Sequence, residues 1–129
     1  MKTKASQLLK LLVGATLVCC TIQAFADSSV KIADCSAAAD ANNPAESVQV
    51  YFKGGNRNDQ NQYAVHYASG KIDKDFPVQS IEAVDNGATL GIQFANFLIL
   101  QIHNGHSTDS KIGVALGSAP RNMTCDAKF

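Results

Sequence analysis

The chain has 129 residues, with 11 Lys and Arg against 11 Asp and Glu, and hydrophobic residues make up 46% of it. This length fits one domain, and the hydrophobic fraction is that of a globular protein rather than of a disordered chain. Neutral overall charge, with no basic cluster after the first ten residues, argues against nucleic-acid binding, which requires cationic side chains opposite phosphates.

The N-terminus has the three parts of a secretory signal peptide. Three lysines within the first ten residues precede an apolar run over residues 11–22, and a small-x-small triplet at 24–26 offers a cleavage site. The apolar run is about a dozen residues long, whereas a membrane span needs roughly 20. We therefore expect a cleaved leader over residues 1–26, no membrane span, and a mature chain in the periplasm or outside a bacterial-type cell.

Removal of the leader changes both the charge and the cysteine content. The single domain that remains, residues 27–129, keeps all 11 acidic residues but loses three of the 11 basic ones, so its net charge is about −3. Two of the four cysteines also leave, and Cys35 and Cys125 remain near opposite ends of the mature chain. In an oxidising compartment such an isolated pair predicts a disulfide.

The mature chain alternates short β-prone runs with turn residues and has no long helical periodicity. We predict strands over residues 48–52, 63–68, 78–84, 89–94, 97–103 and 111–116, with loops over 36–47 and 54–62. Tyr63, Val65 and Tyr67 alternate with small or polar residues, so we expect them to face the core. Asn-Gly pairs at 86–87 and 104–105 predict hairpin turns. Together these patterns predict an all-β fold, a small antiparallel sandwich or barrel of about six to eight short strands that one disulfide closes.

The strand over residues 97–102 is apolar on both faces. A two-residue turn at 95–96 would place Phe97 and Ile99 in the core, opposite the preceding strand. The other face would then carry a candidate partner-binding patch of Leu98, Leu100 and Ile102. This patch is either covered by the rest of the chain or used by a partner, and a homo-oligomer through the strand is one such arrangement.

The loop over residues 54–62 contains no apolar side chain, so we expect it to be solvated. Long polar loops on a rigid sheet often carry recognition residues, so we take this loop as a candidate recognition element for another protein. The candidate binding residues in this loop are Gly54, Gly55, Asn56, Arg57, Asn58 and Asp59.

Two histidines, His103 and His106, flank the second Asn-Gly pair. A two-residue turn would oppose them directly, with Cβ atoms about 5 Å apart, where they could share a metal ion. A zinc site needs at least three protein ligands, and the sequence dictates no third. The favoured interpretation is therefore a polar hairpin tip, with weak metal binding at the two histidines as the alternative.

No grouping of residues in the sequence indicates a catalytic chemistry. Glu46 and Glu82 are the only glutamates, the mature cysteines are predicted to bond to each other, and no serine stands in a nucleophile elbow. We therefore expect a non-catalytic binding module without a cofactor, which recognises another protein or macromolecule. Its general build resembles that of exported inhibitors of host hydrolases, which implies an inhibitor-like role; an adhesion-like role is the other form of binding that we expect. The alternative is a carrier of a small apolar ligand, with a cavity lined by residues such as Phe94, Phe97 and Ile99.

Overall fold

In the computed structural model, which describes residues 29–114 and 119–129, the chain forms a closed barrel of eight antiparallel strands. The strands are β1 (Val30–Ala37), β2 (Glu46–Phe52), β3 (Tyr63–Ser69), β4 (Ile72–Val84), β5 (Thr89–Phe94), β6 (Leu98–His103), β7 (Gly105–Val114) and β8 (Arg121–Ala127). Each strand pairs with the next along the chain, and β8 pairs with β1. The predicted all-β class is therefore confirmed, and the architecture is a barrel. The predicted leader over residues 1–26 lies outside the described residues.

Strand alternation decides which side chains fill the barrel, because successive residues of a strand point to opposite faces of the sheet. Tyr63, Val65 and Tyr67 of β3 are each at most 5% exposed, as the sequence predicted. The same period buries Ile92 and Phe94 on β5. The rings of Tyr67 and Phe94 contact each other with centroids 5.5 Å apart. The core is thus one apolar interior that all eight strands surround.

The disulfide joins the first and last strands of the barrel. Cys35 on β1 lies directly opposite Cys125 on β8, and the two Cα atoms are 4.1 Å apart. Both residues are fully buried. The predicted Cys35–Cys125 bond is confirmed, and it lies on the ladder that closes the barrel.

The predicted pairing of the strand over residues 97–102 is wrong by one residue. The connection between β5 and β6 has three residues, 95–97, instead of the two that we expected, so Phe94 pairs with Leu98 and Ile92 with Leu100. A shift of one residue moves every side chain of a strand to the other face. The side chains that we expected to face outward therefore face the core.

Three further differences concern strand boundaries. Neither β1 nor β8 was predicted as a strand, and β4 continues the predicted run over 78–84 back to Ile72. The last predicted strand began at Lys111, but β7 already begins at Gly105. Its predicted end at residue 116 lies outside the described residues.

Because each strand runs antiparallel to the next, successive connections lie at alternate ends of the barrel. One end, here called the termini end, carries residues 53–62, 85–88 and 104 together with the C-terminal residues 128–129. The opposite end carries the connections over 38–45, 70–71 and 95–97. The predicted recognition loop and the predicted histidine pair therefore both belong to the termini end.

Candidate functional site

The connection between β2 and β3 at the termini end is polar but ordered. Gly54 and Gly55 adopt positive φ angles of 111° and 85°, a region that favours glycine. The side-chain oxygen of Asn56 accepts a hydrogen bond from the backbone N–H of Asn58 at 2.9 Å. These local bonds and glycines turn the chain without any apolar side chain, so the loop has a defined shape while it remains solvated.

The second half of this loop is held by Asp59. Its carboxylate accepts a hydrogen bond from the backbone N–H of Asn61 at 3.0 Å and begins the short 3-10 turn Gln60–Gln62. The backbone N–H of Lys53 donates to the carbonyl of Gln62 at 2.8 Å, which closes the base of the loop. The polar side chains that the sequence singled out therefore organise the loop's own backbone.

The loop is also fixed to the barrel by aromatic residues. The Tyr63 hydroxyl donates a hydrogen bond to the carbonyl of Arg57 at 2.8 Å. The guanidinium of Arg57 lies 5.2 Å from the centre of the Phe52 ring, and the Phe52 and Tyr63 rings are 4.9 Å apart. A loop that is ordered before binding loses less conformational entropy when a partner docks.

A groove of about 400 Å³ lies beside this loop, between β3 and β4. The β3–β4 ladder ends at the pair Ala64 and Pro77, and from Val78 onward β4 pairs with β5. Because β3 begins at Tyr63, the short 3-10 turn Gln60–Gln62 of the loop lies beside β4 at this end. The lining is mixed: the loop contributes polar side chains, and the strands contribute apolar ones together with the carboxylate of Asp75. The lining residues include Gln60, Asn61, Ala64, Asp75, Phe76, Pro77 and Val78. Such a mixture of apolar surface with a few polar groups is typical of recognition sites.

His66 lies on the outer face of β3, next to the groove residue Asp75. Its Nδ1 is 2.7 Å from a carboxylate oxygen of Asp75, and its Nε2 is 2.7 Å from a carboxylate oxygen of Asp73. Only the protonated imidazolium donates from both nitrogens at once. The hydrogen bond to Asp75, with further support from Asp73, accordingly raises the pKa of His66.

This histidine and its two aspartates do not form a metal centre. The carboxylates contact opposite nitrogens of the ring, so the three side chains do not converge on one point. Across residues 29–114 and 119–129, no group of three or more His, Cys, Asp or Glu side chains is arranged to hold a metal ion.

The predicted direct opposition of His103 and His106 is wrong. His106 lies in the part of β7 that pairs with β8, and its Nδ1 is 2.8 Å from Asp126. The Nδ1 of His103 instead lies 3.0 Å from the hydroxyl of Thr89 on β5, and its Nε2 is 3.8 Å from Asp109. The two-residue turn does not form, because the β6–β7 ladder begins farther along β7. The histidines therefore have separate partners.

The contact between Thr89 and His103 places a hydroxyl beside an imidazole, the pair from which an activated nucleophile is built. Thr89 is only 2% exposed, so a substrate has no path to its hydroxyl in this conformation. The backbone N–H of His103 also donates to the hydroxyl of Ser110 at 3.0 Å. These bonds satisfy polar groups at the termini end of the core.

The predicted partner-binding patch on β6 is inside the barrel. Leu100 and Ile102 are fully buried, and Leu98 is partly buried against the core. The outward positions belong to Phe97 and Ile99, which are 55% and 40% exposed. Phe97 and Ile99 thus do not line an interior cavity, contrary to the alternative that placed them there. Both edges of β6 pair with neighbours, so a homo-oligomer through this strand would have to use its outer face.

A cluster at the opposite end of the barrel was missed at the sequence level. Arg121 on β8 donates to Glu46 on β2 at 3.3 Å, to the carbonyl of Pro44 at 2.8 Å and to the carbonyl of Ala38. The Tyr67 hydroxyl donates to the other oxygen of Glu46. Burial of the ring and this hydrogen bond raise the pKa of Tyr67 to about 12.

The role of this cluster follows from its contacts. The side chains of Arg121 and Glu46 are only 18% and 12% exposed, and they fasten the connection between β1 and β2 to the barrel. The two residues are 75 positions apart, and no local pattern in the sequence marks such a pair.

Comparisons of the chain with protein-family models, with curated proteins and with solved structures found no match. Among the described residues, no helix is long and apolar enough to cross a membrane. The function is therefore inferred from the chain's own residues.

Proposed function

We propose that the mature chain is an exported, non-catalytic binding module that recognises another protein through the β2–β3 loop and the groove beside it. The observation that carries this proposal is an ordered, solvent-exposed polar loop next to a partly apolar groove of about 400 Å³. Binding loops on a rigid β scaffold commonly have this build.

The chemistry of this surface favours a protein over other macromolecules. Residues 53–62 offer amide groups, one ammonium, one guanidinium and one carboxylate, and the groove adds the carboxylate of Asp75 and apolar contacts from Phe76 and Pro77. Mixed polar and apolar surface is the usual composition of protein interfaces. The net charge of about −3 for residues 27–129 opposes binding to the phosphates of nucleic acid.

The proposed location is the periplasm or the extracellular space. The disulfide between Cys35 and Cys125 is compatible with an oxidising compartment, where such bonds persist. The leader pattern in residues 1–26 supports the same address.

The test uses two matched asparagine variants. Asn61 lines the groove, and its backbone N–H donates to Asp59 two residues earlier. Asn42, at the opposite end, is exposed and makes the same kind of bond to Asp40 at 2.8 Å. Asn61→Arg fills the groove with a long cation, whereas Asn42→Arg adds the same side chain to an equivalent turn far from it.

The mature protein and both variants are cross-linked in an extract of the native compartment, the captured partner is identified, and its affinity for each protein is measured. We expect Asn61→Arg to weaken binding at least about tenfold, or about 1.4 kcal/mol, and Asn42→Arg to leave it unchanged. Equal affinities for all three proteins would reject the loop and groove as the binding site. Substrate turnover by the purified protein without any partner would reject the binding module itself.

A further inference from the structure

The chain has two asparagine–glycine pairs at the termini end, and their surroundings differ. Asn86-Gly87 lies in the connection between β4 and β5, whereas Asn104 connects β6 to β7 and Gly105 is the first residue of β7. An asparagine followed by glycine is the sequence most prone to spontaneous deamidation, because glycine has no side chain to hinder attack by its backbone nitrogen.

The reaction needs freedom in two groups. The backbone nitrogen of the glycine loses its proton to base and attacks the side-chain carbonyl carbon of the asparagine. A carbon–nitrogen bond forms, the side-chain amide bond breaks, and ammonia leaves. Water then opens the resulting succinimide ring and gives either aspartate or isoaspartate. A restrained carboxamide or a restrained glycine backbone therefore slows the reaction.

Asn104 is restrained in both respects. Its side-chain amide donates to the carbonyl of Phe129 at 3.3 Å, and its side-chain oxygen accepts from the backbone N–H of Phe129 at 3.2 Å. Its own backbone N–H donates to the carbonyl of Ala88 at 2.9 Å. Gly105 already belongs to β7, where it pairs with Ala127 of β8.

Asn86 lacks these restraints. The residue is exposed, and its carboxamide has no hydrogen-bond partner among the residues that the structure describes. Gly87 is also exposed and lies outside the strands, whereas Gly105 lies within β7. Exposed turns of this kind open locally at little cost, so the reactive geometry is accessible without global unfolding.

We propose that Asn86 is a deamidation site of the folded protein, and that Asn104 is protected by its bonds to the C-terminal residue. The product carries a new carboxylate at the termini end, beside Asp85. In the isoaspartate form the backbone of the turn is also longer by one methylene group. This inference does not depend on the proposed binding function.

The experiment compares the two sites within one molecule. The oxidised mature protein is incubated in neutral to mildly alkaline buffer made with ¹⁸O water, and samples are reduced and digested with chymotrypsin. Cleavage after Phe94 and Phe97 separates the peptide that contains Asn86 from the one that contains Asn104. Mass spectrometry then measures conversion at each site through the incorporated label. A second series uses reduced protein in concentrated urea.

In the folded protein we expect conversion at Asn86 to be at least about tenfold faster than at Asn104, and in urea we expect similar rates at both. Deletion of Phe129 should speed conversion at Asn104 and leave Asn86 unchanged. Equal rates in the folded protein would overturn the proposal, as would a folded protein in which neither site reacts. A difference that persists in urea would overturn it as well, because the neighbouring sequence and not the structure would then be the cause.

Discussion

Removal of the disulfide tests how the barrel is held closed. Cys35 and Cys125 are separated by 90 residues, and they connect β1 to β8 on the ladder that completes the barrel. In the chain-entropy model, a cross-link over a loop of this length stabilises the folded state by about 4.5 kcal/mol, because it restricts the unfolded chain. Small domains are stable by only about 5–15 kcal/mol in total. The double variant Cys35→Ala/Cys125→Ala should therefore lose a large share of its stability.

The assay is equilibrium unfolding in urea, followed by circular dichroism, for the oxidised protein and the double variant. We expect the free energy of unfolding to fall by about 3–5 kcal/mol in the variant. We also expect this free energy to decrease more steeply with urea concentration, because the unfolded chain without the cross-link is less compact. Reduction of the original protein should reproduce both changes, which separates loss of the bond from altered packing at two fully buried positions. A loss below about 1 kcal/mol would refute the reasoning that the bond constrains the unfolded chain.

Three further predictions concern the core, the histidine on β3 and the arginine cluster. Leu100→Ala should lower the free energy of unfolding in urea by about 2–5 kcal/mol, because the side chain is fully buried. Ile99→Ala, at a position 40% exposed, should lower it by less than about 1 kcal/mol. A larger effect at Ile99 than at Leu100 would instead support the pairing predicted from the sequence, in which Ile99 faces the core. The pKa of His66 in the folded protein lies above its ordinary value of 6.5. The protonated histidine therefore contributes its full stabilisation below pH 6.5, and this stabilisation is lost as the pH rises through the pKa of the folded protein. Asp75→Asn should therefore lower the pKa of His66 in an NMR titration and destabilise the protein more under acidic than under alkaline conditions; an unchanged titration curve contradicts this assignment. Arg121→Ala should lower the free energy of unfolding by about 1–3 kcal/mol, because one oxygen of the mostly buried Glu46 carboxylate and two carbonyls lose the guanidinium that donates to them. A neutral effect would show that water replaces the guanidinium.

The fold class was predictable because its evidence is local. Alternation in the run from Tyr63 to Ala68 marks one strand and its inward face, and the Asn-Gly pair at 86–87 marks the turn that follows β4. The disulfide was predictable by elimination, once two of the four cysteines were assigned to the leader. These inferences require no knowledge of which strands are neighbours.

The errors arose where pairing between strands decides the outcome. The β5–β6 connection has three residues, and an error of one in its length exchanged the buried and exposed faces of β6. β8 has few apolar side chains, Met123 and Cys125 among them, so its sequence gave a weak strand signal even though it closes the barrel. The partners of His103 and of Arg121 come from distant strands, and only the folded barrel shows them.

The candidate site was predicted in outline. Its loop was identified because residues 54–62 contain no apolar side chain. The groove beside the loop was not predictable, because it depends on where the β3–β4 ladder ends at Ala64 and Pro77. The internal bonds of Asn56 and Asp59 also changed the interpretation of the loop, since these side chains give it a defined shape.

The central claim, recognition of a protein through the β2–β3 loop and its groove, is tested most directly by NMR mapping of the bound surface. Backbone amide signals of the labelled protein, residues 27–129, are recorded while the captured partner is added. The largest changes should fall in residues 53–62 and at the groove positions 75–78. Changes centred on the connection over 38–45 or on the outer face of β6 around Ile99, with the loop unaffected, would contradict the claim.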